Sequence, residues 1–132
     1  MCSDKPLVLL IDDDRDIHVA IEAILRPLGY RVIGCRTGPS GLAELRRVRP
    51  DIVLLDIMLS APEEGIDLAR EFRADPKFRN ISVILISSIG NHVSVKSLLE
   101  LPAAAYLEKP FQPEVLQATI ERVLRSGGGV IP

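Results

Sequence analysis

Residues 8–14 read VLLIDDD, four apolar side chains followed at once by three aspartates. The apolar run begins at Leu7 and does not alternate with polar residues. A strand covered on both faces of a parallel sheet reads this way, whereas a half-exposed strand alternates. The same grammar returns twice: Ile52 to Leu55 is apolar and ends in Asp56, and Val83 to Ile86 is apolar and ends in Ser87-Ser88. Arg31 to Cys35 and Ala103 to Leu107 are weaker strand candidates, expected to be shorter or more peripheral.

Helical periodicity fills the intervals. Ile17, Ala20, Ile21, Ile24, Leu25 and Leu28 form one stripe, with Arg15, His18, Glu22 and Arg26 assigned to the polar face opposite. Leu42, Leu45 and Val48 mark a second helix ending before Pro50, and a third is expected from about residue 66 to 74. A fourth is expected over 93–101, and a fifth begins near Pro113 with Leu116, Ile120, Val123 and Leu124 on its apolar side. Five βα repeats predict an α/β fold, a parallel sheet with helices on both faces and right-handed crossovers.

Bulk properties fit one such domain. The chain has 132 residues, and 47% hydrophobic with 26% charged residues is ordinary for a globular protein. A net charge of -2 gives no basic footprint for direct nucleic-acid binding. Two cysteines, Cys2 and Cys35, make neither a disulfide framework nor a metal cluster and suit a reducing compartment. No secretory signal and no apolar run near the roughly 20 residues of a membrane span is present, so a cytoplasmic location away from membranes is expected.

Ligands of open α/β sheets bind beyond the carboxyl ends of the strands. Asp12, Asp13 and Asp14 end the first strand, Asp56 the third, Ser87 and Ser88 the fourth, and Glu108-Lys109-Pro110 the fifth. Clustered carboxylates repel unless a cation intervenes, and an oxygen-only donor set suits a hard cation such as Mg²⁺, or Mn²⁺ in its place. Lys109 adds a compact positive charge opposite that metal. A carboxylate between the two is set up to attack phosphorus, and Asp56 is the candidate. Each acid alone would be an ordinary cap or turn residue, and Asp14 is expected to be one, at the start of the first helix.

With these residues in place, the chain resembles the receiver domains of two-component response regulators, of the chemotaxis-regulator type. The resemblance covers residue 6 to about 124 and rests on 8–14 (VLLIDDD), 50–59 (PDIVLLDIML), 83–88 (VILISS) and 106–111 (YLEKPF), with their spacing. It implies a flavodoxin-like, doubly wound five-stranded sheet of order 2-1-3-4-5 with five helices. Residues 1–125 would form the receiver domain and 126–132 a flexible tail. By position, Asp56 matches the phosphoacceptor. Asp13 matches the direct metal ligand, Asp12 the acid holding metal-bound water, and the Met58 backbone carbonyl a further ligand. Lys109 matches the lysine that grips the phosphoryl group, with Ser87 and Ser88 beside it, and Pro110 the proline after it, typically joined by a cis bond. Ser87 and Tyr106 match the hydroxyl and aromatic of the switch.

The resemblance further implies a phosphoryl donor, either a histidine kinase or a histidine phosphotransfer protein. It implies a downstream protein or output domain that this sequence does not identify, and a homodimer through the fourth helix, fifth strand and fifth helix. The domain would catalyse only its own phosphorylation and dephosphorylation. The loop after Asp56 (Ser60-Ala61-Pro62-Glu63-Glu64-Gly65) is one residue longer than the family pattern, Ser82 precedes the fourth strand where proline is usual, and Pro102 replaces a common glycine. Apolar Met58 and Ile89 are expected to slow loss of the phosphoryl group by limiting water. Two other readings are weaker. A haloacid-dehalogenase-like phosphotransferase would carry a second acid where Met58 stands, and a receiver working without phosphorylation would not need the full set of acids and lysine.

Overall fold

The computed structural model describes residues 5–57, 64–78, 80–88 and 103–125. Five parallel strands form one sheet in the order β2-β1-β3-β4-β5: β1 (Leu7–Ile11), β2 (Arg31–Cys35), β3 (Ile52–Asp56), β4 (Ser82–Ser88) and β5 (Ala105–Lys109). Four α-helices accompany them: α1 (Arg15–Leu25), α2 (Gly38–Val48), α3 (Glu64–Ala74) and, after β5, α4 (Pro113–Arg125). The helix expected over 93–101 and the tail 126–132 lie outside the described residues, so four helices rather than five are seen among those described. None of them is long and apolar enough to cross a membrane.

The unbroken apolar runs are explained by a core on each side of the sheet. Successive side chains of a strand point to opposite faces. Leu9, Ile11, Val53, Leu55, Val83 and Leu85 therefore join one core with Leu45 of α2 and Leu68 and Phe72 of α3. Val8, Leu10, Ile52, Leu54, Ile84 and Ile86 join the other, with Ile21 and Leu25 of α1 and Leu116 and Ile120 of α4. Every residue of β1 and β3 is buried, so no position on either strand could be polar without a partner. The edge strand β5 differs: Ala105 and Leu107 are buried while Tyr106 and Glu108 are exposed.

Local signals set the helix starts. Asp14 caps α1, its carboxylate accepting from the Asp16 amide at 2.9 Å. Thr37 caps α2 in a reciprocal box with Ser40. Two readings change. Ser82 is the first residue of β4, fully buried, instead of preceding it. His18 is not on the polar face of α1 but buried beside Ile21 and Leu25, while Ala20 and Leu28 are exposed. The apolar stripe is thus rotated toward His18.

Candidate functional site

Strand register brings the acids together. On one side of β1 the Asp12 amide donates to the Cys35 carbonyl of β2 at 3.1 Å, and on the other side Ile11 pairs with Leu55 of β3. Asp12 and Asp56, each one step beyond that pair, therefore lie side by side at the carboxyl rim. On the other flank Asp56 is in register with Ile86, so Ser87 stands one residue further out. Ser87 and Ser88 pair with Glu108 and Lys109 of β5.

Lys109 reaches back across this rim. Its ammonium lies 2.8 Å from Asp12 Oδ2 and 3.2 Å from Asp56 Oδ2, donating to both. The Asp12 side chain is fully buried, that of Asp56 nearly so, and Asp13 is exposed. Oxygens of Asp12, Asp13 and Asp56 all lie within 4.8 Å of one another. Three carboxylates against one lysine leave an excess of two negative charges. At that spacing the buried Asp12 and Asp56 carboxylates repel by roughly 3 kcal/mol or more at an effective dielectric near 20, and exposed Asp13 adds a smaller, solvent-screened repulsion. A divalent cation relieves the excess, and carboxylate oxygens are its ordinary donors, so the residues present fit Mg²⁺ or Mn²⁺.

Burial opposes the charge on Lys109, but the hydrogen bond and charge of Asp12, joined by the charge of Asp56, outweigh it and hold the pKa above that of a free lysine. A raised folded-state pKa means the pairing stabilises fully below the unfolded value of about 10.4 and is lost as pH climbs through the folded value. Tyr30 and Tyr106, both raised by burial, act in the same direction. The lysine's part is therefore the difference between wild type and Lys109→Met. In urea titrations without metal, the wild-type midpoint is expected to fall more steeply above about pH 10.4 than that of the variant.

The remaining predicted residues are placed as follows. The Lys109–Pro110 peptide bond is cis. Tyr106 lies on β5, 41% exposed, in register with Leu85. Met58, Ile89 and most of the lengthened loop after Asp56 fall outside the described residues. Two contacts were not foreseen: His18 Nε2 lies 2.6 Å from the Asp12 carbonyl oxygen, and Arg36 donates to the Asp13 carbonyl at 3.1 Å. A glycine within β2, Gly34, was the available signal for the first. Nothing in the spacing of Arg36 announces the second.

Residues 8–121 match the family model for the response regulator receiver domain. The chain belongs to the response regulator receiver domain family. Transcriptional regulatory protein AfsQ1 of Streptomyces coelicolor is 38% identical over 122 residues, covering 92% of this chain and 52% of the relative. CseB of the same organism, also a transcriptional regulatory protein, is 37% identical over 131 residues, covering 96% and 54%. The receiver domain thus spans about half the length of these curated relatives. Among solved structures, a putative response regulator from Chloroflexus aurantiacus superposes with a TM-score of 0.84 at 25% identity, covering 92% of this chain and 99% of that one. The receiver domain of sensor histidine kinase PA1611 from Pseudomonas aeruginosa, solved with a magnesium ion coordinated in its active site cleft, gives 0.79 at 31% identity, covering 89% and 96%. The receiver fold with sheet order 2-1-3-4-5 and flavodoxin-like winding is the one these relatives share with this chain.

Proposed function

We propose that this receiver is a phosphoacceptor switch in which Asp56 takes a phosphoryl group from a histidine kinase or histidine phosphotransfer protein, in a reaction that requires Mg²⁺. The observation that carries the reading is the single ammonium of Lys109 shared between Asp12 and Asp56, with Asp13 beside them. An Asp56 carboxylate oxygen attacks phosphorus, a P–O bond forms, and the P–N bond of the donor phosphohistidine breaks with its electron pair passing to the imidazole. Asp13, Asp56 and the Met58 carbonyl would hold Mg²⁺, with Asp12 on its bound water, and the ion would supply positive charge against the transferring group. Lys109 grips a phosphoryl oxygen from the other side, with Ser87 and Ser88 along the same rim. Apart from this self-modification, no conversion of an external substrate is assigned.

The product adds charge and acceptor oxygens to the rim and favours a state in which Ser87 bonds the phosphoryl group and Tyr106 turns inward. Tyr106 would start from a half-exposed position on the edge strand. The surface so altered, β5 with α4 and residues 93–101, is the proposed contact for a downstream protein, an output domain or a second copy of the chain. Direct contact with nucleic acid or membrane is not part of the proposal, and the cytoplasm is the proposed setting.

Two readouts test the metal step. Mg²⁺ at about 100 times its dissociation constant is expected to stabilise wild type by about 2.7 kcal/mol in urea unfolding. Asp13→Asn loses most of that gain and, through relief of like-charge repulsion at an exposed position, is more stable without metal by up to about 1 kcal/mol. Acetyl phosphate with Mg²⁺ is expected to add one phosphoryl mass, and excess chelator to abolish it. A wild-type unfolding curve indifferent to Mg²⁺ would contradict the proposal.

A further inference from the structure

The short segment carrying Asp12 and Asp13 is tied down through its backbone as well as through its carboxylates. The Asp12 carbonyl accepts from His18 of α1, and the Asp13 carbonyl from Arg36, which lies between β2 and α2. A carbonyl oxygen has no proton to give, so Nε2 of His18 must carry the hydrogen. At 2.6 Å this is the shortest hydrogen bond described at the site. The ring is only 8% exposed, and it occupies the position of the α1 stripe that Ile21 and Leu25 continue in the following turns. An apolar residue would fill that position without the desolvation cost of an imidazole, so the hydrogen bond is what singles out histidine.

Gly34 supplies the seat. A Cβ built there would lie 2.9 Å from His18 Cε1 and closer still to Nδ1. A larger residue at that point of β2 would collide with the ring, which must then shift from the place where it meets the Asp12 carbonyl. A histidine inside an apolar stripe and a glycine inside a strand are therefore parts of one arrangement.

We infer that His18, seated on Gly34, is a positioning residue for the metal-binding acids: it fixes the backbone at Asp12 so that Asp12 and Asp13 meet the cation without rearranging. The inference rests on the Mg²⁺-dependent switch proposed above and identifies a further residue on which that site depends. Residues that orient metal ligands from behind typically change affinity by about 10- to 100-fold when replaced.

The test is a Mg²⁺ titration of the whole chain, followed by amide chemical shifts, with urea unfolding measured on the same samples. His18→Leu is expected to weaken Mg²⁺ by about 10-fold or more, and His18→Gln, whose amide can donate to the same carbonyl, to recover most of the loss. Gly34→Ala keeps the histidine and every polar group yet is expected to weaken Mg²⁺ comparably. The double variant His18→Leu/Gly34→Ala should lose little more than His18→Leu alone, because both act through one contact. If His18→Leu does not fold, Gly34→Ala and His18→Gln carry the comparison. Variants that unfold more easily but bind Mg²⁺ as wild type does would overturn the inference and leave the proposed function standing. A wild type that binds no Mg²⁺ would remove both.

Discussion

Replacing Lys109 with methionine is expected to slow phosphorylation of Asp56 by about 10²- to 10³-fold, the usual loss when one preorganised donor to a developing charge is removed. Methionine keeps most of the apolar stem and deletes the ammonium that now stands 2.8 Å from Asp12 and 3.2 Å from Asp56. Mg²⁺ affinity should hold or rise, since the cation competing for the same carboxylates is gone. The expected signature is thus a slower transfer at saturating metal, measured as initial rates of adduct formation with acetyl phosphate. Without metal the variant is expected to unfold more easily, because two buried carboxylates lose their shared counter-charge. Equal rates for variant and wild type would contradict the role given to Lys109.

Phe72→Ala is expected to cost about 3–5 kcal/mol in urea unfolding. Phe72 is 1% exposed and meets Phe78 edge-on, with ring centroids 6.3 Å apart. It belongs to the core shared with Leu9, Val53 and Leu85, on the face of the sheet covered by α2 and α3. In a chain with aromatics at only 4%, few other side chains can fill the space left. Against a typical total of about 5–15 kcal/mol, the loss would leave the domain marginal. A change under about 1 kcal/mol would show that α3 is not anchored through this residue.

The sheet was legible because β1, β3 and β4 must satisfy two cores at once, and residues such as Leu9 and Leu10 can only be apolar when both faces are covered. The edge strand β5 was harder to delimit. Its Tyr106 and Glu108 face outward, and the strand proved to start at Ala105 and continue through Lys109 instead of ending at Leu107. Strand order came from family resemblance, since periodicity says which residues form strands and not which strands pair. The four rim residues Asp12, Asp13, Asp56 and Lys109 were legible because all lie at or just beyond strand ends.

His18 was misplaced for a physical reason. Treating histidine as polar overrode the helical spacing, in which 18, 21 and 25 share a face. Gly34, a glycine inside a strand, was the sequence sign of a close approach from a neighbouring element. The Arg36 contact depends on how the segment between β2 and α2 passes the rim, and no spacing rule anticipates that.

The central claim is that Asp56 is the residue phosphorylated, and the most direct measurement is intact mass after incubation with Mg²⁺ and acetyl phosphate, for wild type and Asp56→Asn in parallel. One acid-stable, base-labile phosphoryl adduct is expected on wild type and none on Asp56→Asn. No adduct on wild type, or the same adduct on both, would contradict the claim.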